Sequence, residues 1–199
     1  MRSQSSWKTA LCGGRVLWMG AAFMTIAAFG SPVISVQPSP VTVAAGQTFS
    51  VNVTITGVTD LFAFQFDLGF DPTKLRALTV SEGPLLGSGG SSFFIPGTIN
   101  NSAGILQATF DSLVGPIPGI SGSGVLASFG FLALLPGQSS VTPARVSLLD
   151  STLFDIPSTA QNGVVTATGI QATPEPSTLA VSAAAICLLA ALAARRPRP

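Results

Sequence analysis

Residues 49–75 read FSVNVTITGVTDLFAFQFDLGFDPTKL. In the opening eight, Phe49, Val51, Val53 and Ile55 alternate with Ser50, Asn52, Thr54 and Thr56. A period of two is that of a pleated strand with one face buried and one face wet. The alternation resumes with Phe62, Phe64, Phe66, Leu68 and Phe70 on one face and Ala63, Gln65, Asp67 and Gly69 on the other. The stretch closes on Asp71-Pro72. There Asp71 is placed to cap a single helical turn, with Pro72 in its first position.

The same pattern continues outward. Strands are expected at Ile105 to Phe110, Val125 to Ala133, Ala144 to Leu149 and Val164 to Thr168. Clusters of Gly, Pro, Asn and Ser separate them, as at Gly87 to Gly90 and Gly115 to Gly124. Short strands with one apolar face each, joined by such turns, predict an all-β, two-sheet sandwich. Eleven phenylalanines fall between residues 31 and 169, enough to fill its core. Phenylalanine suits burial because it carries no polar group that needs a partner.

Composition narrows the chemistry. Only 9% of the 199 residues are charged and the mean hydropathy is +0.57, whereas an ordinary soluble domain carries about 25% charged residues. With no histidine there is no imidazole base, no His-ligated zinc and no Ser-His-Asp triad. Nine Lys and Arg cannot make the positive surface that nucleic acid requires. Both tryptophans and both cysteines lie outside residues 31–169, so a domain there has no disulfide. Its three cations (Lys74, Arg76, Arg145) against seven acids leave it acidic, at −4, while the basic ends set the whole-chain charge of +1.

Both ends read as addresses. Arg2, Lys8 and Arg15 precede the apolar run Val16 to Phe29, and Ala28-Phe29-Gly30 offers small residues for cleavage between Gly30 and Ser31. Residues 1–30 are therefore expected to be a secretory signal peptide. At the other end, a linker (170–176) ends in Pro174-Glu175-Pro176. An uncharged segment (177–194) follows, and then a basic tail (195–199) with Arg195, Arg196 and Arg198. Eighteen residues at helical rise span roughly 27 Å, the thickness of a hydrocarbon core. The arginines would hold the tail in the cytoplasm.

Pro174-Glu175-Pro176, one apolar helix and terminal arginines resemble the PEP-CTERM sorting signal of exopolysaccharide-producing Gram-negative bacteria. That resemblance implies an exosortase partner, transient membrane anchoring, export through the inner membrane, and a final place on the cell surface or in the extracellular matrix. The helix would hold the chain while the proline-flanked Glu175 presents an extended segment for cleavage.

The domain between the ends has a resemblance of its own. Val43 to Val51 (VAAGQTFSV) is similar to the opening strand of cohesin domains, and Ala63 to Leu75 resembles their most specific segment. Phe70 stands where that family usually has tyrosine. Gly124 to Phe131 (GVLASFGF) resembles a later strand. The match runs over most of Val33 to Thr168. It implies a nine-stranded jelly roll, related in fold to certain carbohydrate-binding modules. In cohesins one sheet face binds a calcium-loaded dockerin. Only the scaffold motifs match here, so those contacts are not carried over.

Catalytic patterns are weak. Glycoside hydrolysis needs two facing carboxylates, and spacing alone brings none of Asp60, Asp67, Asp71, Glu82, Asp111, Asp150 and Asp155 together. Gly119-Ile120-Ser121-Gly122-Ser123 misses the nucleophile elbow at its last position and reads as a flexible connection. Asp150 and Asp155 could offer oxygens to calcium but lack a calcium-loop spacing. No metal or cofactor is expected. Phe93 and Phe94 are the candidate ligand contacts, standing in for absent tryptophan and tyrosine. The reading is a non-enzymatic binding module for a dockerin-like protein, or alternatively for matrix polysaccharide.

Overall fold

The computed structural model describes residues 30–169, and in it the two expected strands of the quoted stretch are one. Strand β3 runs Thr48–Gly69, 22 residues. Gly57 to Asp60 looks like a turn but is absorbed as pairing irregularities between Ile55 and Val58 and between Val58 and Leu61. Gly57 and Asp60 take left-handed backbone there, with φ of 71° and 58°, a conformation open to glycine and tolerated by aspartate. The Asp60 side chain fixes the bend. Its Oδ1 accepts the Gly119 N–H at 2.8 Å and its Oδ2 accepts the Ser151 hydroxyl at 2.7 Å.

The bend lets β3 serve two sheets. Its first half pairs antiparallel with β1 (Val33–Gln37) and β8 (Ile120–Ala133). Strand β4 (Leu75–Glu82) pairs on the far side of β8, and β10 (Thr159–Gln161) pairs parallel with β1. The second half lies between β7 (Ile105–Leu113) and β9 (Gly137–Asp150). Short strands β5 (Ser92–Ile95) and β6 (Thr98–Asn100) add to β7. Beyond β9 come β11 (Gly163–Thr168) and its parallel neighbour β2 (Val41–Ala44). The result is the expected all-β jelly-roll sandwich. The described residues hold eleven strands where the resemblance implies nine: Pro38-Ser39-Pro40 separates β1 in one sheet from β2 in the other, Pro96-Gly97 separates β5 from β6, and Asn162 separates β10 from β11.

Side chains from both sheets meet in one core. Phe64, Phe66, Phe129 and Phe131 are among its largest fully buried members. Phe66 meets Phe129 edge-on at 6.0 Å, and Phe131 contacts Phe70 at 5.3 Å and Phe49 at 5.9 Å. Phenylalanine at the position of the family's tyrosine is thus a core residue, 8% exposed. As expected, Asp71 nucleates one turn: its Oδ1 accepts the Thr73 N–H at 2.9 Å and the Leu75 N–H bonds back to the Asp71 carbonyl. The short helix α1 is elsewhere, at Pro84–Gly87, with Pro84 in its first turn.

Several boundaries differ from expectation, and β7 runs on past Phe110 to Leu113. The Gly115 to Gly124 cluster is not wholly a connection, because β8 already begins at Ile120. Ser121 and Ser123 are held there as acceptors, from the Asp60 and Gly57 N–H groups, each at 3.0 Å. Strand β9 starts seven residues before Ala144 and runs through buried Pro143. Most of the expected signal peptide, the Pro174-Glu175-Pro176 motif, the apolar segment 177–194 and the arginine tail lie outside the described residues. Gly30 and Ser31 stand exposed at their start.

Candidate functional site

The outer faces of the two sheets differ in chemistry. On the β10-β1-β3-β8-β4 sheet, Ser35 and Thr54 pair through their hydroxyls at 2.9 Å, and the Ser128 hydroxyl donates to Asn52 at 2.8 Å. These polar pairs lie along its middle, while Leu78 is exposed at its edge beside a depression lined by Thr48, Phe49, Ser50, Thr79, Gly130 and Phe131.

The outer face of the β5-β7-β3-β9 sheet is mixed. Register places Phe93 opposite Ser112, Ile95 opposite Phe110, Gln65 between Phe110 and Ser147, and Ala63 opposite Leu149. Residues directly opposed in a sheet share a face, so these side chains form one surface from edge to centre. Phe93 is 60% and Ile95 43% exposed. A depression of about 170 Å³, lined by Ala63, Phe64, Gln65, Phe110, Ser147 and Leu149, opens in its middle. Beyond β9, the loop turned by Asp150 exposes Leu153 and Phe154.

One end of this face is built around Asp67. Pairing shifts on both flanks of β3 here, opposite Phe66 and Leu68 on β7 and opposite Gln65 and Asp67 on β9. The extra residues carry left-handed backbone at Ala108 (φ 56°) and Arg145 (φ 47°). Such a bulge frees a backbone N–H from the ladder. The Ala108 N–H donates to Asp67 Oδ1 at 2.8 Å, while Arg145 Nε lies 2.6 Å from Asp67 Oδ2, close but without hydrogen-bond alignment. Asp67 is thereby buried, yet the Arg145 side chain stays 70% exposed. An anchored cation therefore projects beside the apolar depression.

The two phenylalanines expected to share a role are separated. Phe93 lies on the open face, while Phe94, its neighbour on β5, turns inward and packs on the core. A two-ring stacking platform is not formed. Asp150 does not face a cation either: its Oδ1 accepts from the Thr152 N–H, the Thr152 hydroxyl and the Phe154 N–H. Those donors, the Thr152 hydroxyl first, hold its carboxyl below the ordinary range against the cost of desolvation.

Sequence reasoning missed Asp67, Arg145 and Asp111. Alternation placed Asp67 outward and so implied exposure, but a distant arginine covers it. Asp111 lies on the inner face of β7 opposite Phe64, completely buried. Burial, with the Glu82 carboxylate beside it, raises its carboxyl to about 6. The structure thus brings Asp111 to Glu82, and Asp60 to Asp150 at the bend of β3. Asp111 is sealed beneath the sheets, where no glycosidic bond could reach it.

Comparison with known proteins places this architecture. The family profile of the cohesin domain matches residues 34–167. Cellulose-binding protein A of Clostridium cellulovorans is 31% identical over 152 residues, which cover 73% of this chain and 8% of that protein. This chain therefore spans a small fraction of that relative's length. Among solved structures, a non-cellulosomal cohesin from the archaeon Archaeoglobus fulgidus superposes with a TM-score of 0.57 at 18% identity, covering 70% of this chain and 92% of that one. A type I cohesin–dockerin complex from Clostridium thermocellum gives a TM-score of 0.58 at 15% identity, covering 70% and 100%. The third ScaC cohesin of Acetivibrio cellulolyticus, in complex with a dockerin, gives 0.56 at 20% identity, covering 68% and 98%.

Proposed function

This chain belongs to the cohesin family, and from that premise we propose that it is a non-catalytic docking module for a dockerin-type protein, binding through the outer face of the β5-β7-β3-β9 sheet. The observation that carries the reading is the asymmetry of the two faces. One sheet pairs Ser35 with Thr54 and Ser128 with Asn52 along its middle and exposes one large apolar side chain, Leu78, at its edge; the other leaves Phe93, Ile95, Phe110 and Leu149 around a depression, beside Gln65, Ser147 and the Arg145 cation. An apolar centre with a polar rim and an anchored arginine has the composition of a protein interface. A polysaccharide ligand is less well served, because Phe93 is the one ring of the Phe93-Phe94 pair that faces solvent.

Display completes the function. An N-terminal signal peptide exports the chain through the inner membrane of a Gram-negative cell. The apolar segment 177–194 and the arginines after it hold it, and an exosortase recognises Pro174-Glu175-Pro176. The module then works at the cell surface or in the extracellular matrix. The support is the order of these three features in the sequence.

The test is titration of the full chain, in mild detergent, with purified dockerin modules encoded in the same genome. A saturable complex weakened at least tenfold by Phe93→Ala or Arg145→Ala, and unchanged by Asn52→Ala on the opposite face, is the expected result. Binding insensitive to both face variants, or affinity for matrix glycans alone, would overturn the docking reading. For display, Glu175→Ala should block processing to the shorter form seen by immunoblot. Unchanged processing refutes the sorting reading and leaves the docking one standing.

A further inference from the structure

Six of the domain's seven acids are aspartates, and four of these have an evident partner. Asp60 accepts from Gly119 and Ser151, Asp67 faces Ala108 and Arg145, Asp71 faces Thr73 and Lys74, and Asp150 accepts from Thr152 and Phe154. Asp155 is exposed to water. Asp111 differs. It is 0% exposed, and neither of its carboxylate oxygens has a hydrogen-bond partner. A carboxylate withdrawn from water without a donor or a counter-charge is strongly unfavourable, and buried polar groups left unpaired are few in native folds.

The surroundings of Asp111 supply oxygen rather than positive charge. Glu82, at the end of β4, lies against it. Glu82 Oε1 also accepts the hydroxyl of Ser92, at the start of β5. Strands β4 and β5 are edges of opposite sheets, so this contact closes the side of the sandwich over Asp111. None of the domain's three cations compensates it: Lys74 is engaged by Asp71, Arg145 by Asp67, and Arg76 points outward from β4. Beside Glu82, a depression lined by Gly83, Pro84, Gly87 and Ser88 opens to solvent, giving water a route to the outer carboxylate.

We propose that Asp111, Glu82 and Ser92 form a binding site for a divalent cation of the calcium class, at the edge where β4 and β5 close the sandwich. Hard cations of this class take carboxylate and hydroxyl oxygens together with water. The two carboxylates meet here, the Ser92 hydroxyl bonds the outer one, and the inner one accepts no well-aligned hydrogen bond. The ion would neutralise the pair and tie the two sheet edges together, so binding it would stabilise the fold. Because β5 carries Phe93 and Ile95, the same ion would steady one edge of the exposed face.

The experiment uses the full chain in mild detergent, stripped with chelator, without any binding partner. Melting temperature and heat of binding are followed during titration with calcium chloride at neutral pH. At calcium about a hundredfold above its dissociation constant, the melting temperature should rise by roughly 5–10 °C. Glu82→Gln, a substitution on the surface, should abolish both the shift and the binding heat while leaving the protein folded; Asp111→Asn should do the same. No shift in the wild-type chain overturns the proposal. So does a shift that survives Glu82→Gln, or one removed instead by Asp150→Asn, which would place the ion elsewhere.

Discussion

Asp67 serves two partners, and substitution can separate them. It is 4% exposed and sits between two bulges. One oxygen takes the freed Ala108 N–H at 2.8 Å and the other faces Arg145 at 2.6 Å. The ion pair is half in water, since Arg145 is 70% exposed. Exposed pairs contribute about 0–1 kcal/mol, so Arg145→Ala should destabilise by about 1 kcal/mol or less. Asp67→Asn keeps an acceptor for Ala108 and gives up the charge, and should cost a similar amount. Asp67→Ala leaves the Ala108 N–H without a partner and opens a small void, which should cost about 2–3 kcal/mol. The expected order is therefore Asp67→Ala well above Asp67→Asn, with Asp67→Asn and Arg145→Ala nearly equal. Urea unfolding of the full chain, compared at equal m-value, reads these differences directly. If Asp67→Asn proves as damaging as Asp67→Ala, the carboxylate's charge rather than its capping of the bulge supports the sheet. The account of Asp67 would then be wrong.

Two further outcomes follow from the same loops and edges. Gly97 joins β5 to β6 at φ 77°, where an added Cβ would overlap the Gln107 carbonyl; Gly97→Ala should cost about 2–4 kcal/mol and expose the β5 edge to protease before the rest of the domain. Asp60 is held below the ordinary carboxyl value of 3.8, first by the Ser151 hydroxyl and also by the Gly119 N–H. A depressed native pKa gives stability that is full above 3.8 and lost as pH falls through the lower native value. Acid unfolding should therefore begin earlier in wild type than its neutral-pH stability alone implies, and Asp60→Asn should flatten that limb while lowering stability at pH 7; an unchanged acid limb would refute the role of Asp60.

Local alternation made the strands legible, because the pleat is set by each residue and its neighbours. The alternation at Phe49 to Thr56 and Phe62 to Phe70, with the later β-rich runs and the Gly/Pro turns between them, predicts a sandwich. It is not enough to show that Gly57 to Asp60 continues one strand. The groups that hold that bend, Gly119, Ser121, Ser123 and Ser151, come from distant parts of the chain. The Gly119 to Ser123 segment hides its strand for the same reason. Its small polar residues suit a loop, yet they are donors and acceptors for β3.

The exposed face shows why a site was harder to read than a fold. Phe93 and Phe94 are chemically identical neighbours, and alternation along β5 sends one outward and one into the core. Alternation fixes their opposition; only the pairing of β5 with β7 fixes which ring faces water. The apolar members of the face come from β5, β7 and β9, and no spacing in the sequence links Ile95, Phe110 and Leu149. Arg145 is no more visible, for its place beside them depends on a bulge in β9 and on an aspartate in β3. A sheet surface is a product of register, and register is a long-range property. A jelly roll therefore conserves its core pattern locally while the composition of its outer faces is decided by which strands become neighbours. That is where a docking module carries its specificity, and Phe93, Gln65 and Arg145 are the residues whose exchange should alter the partner without altering the fold.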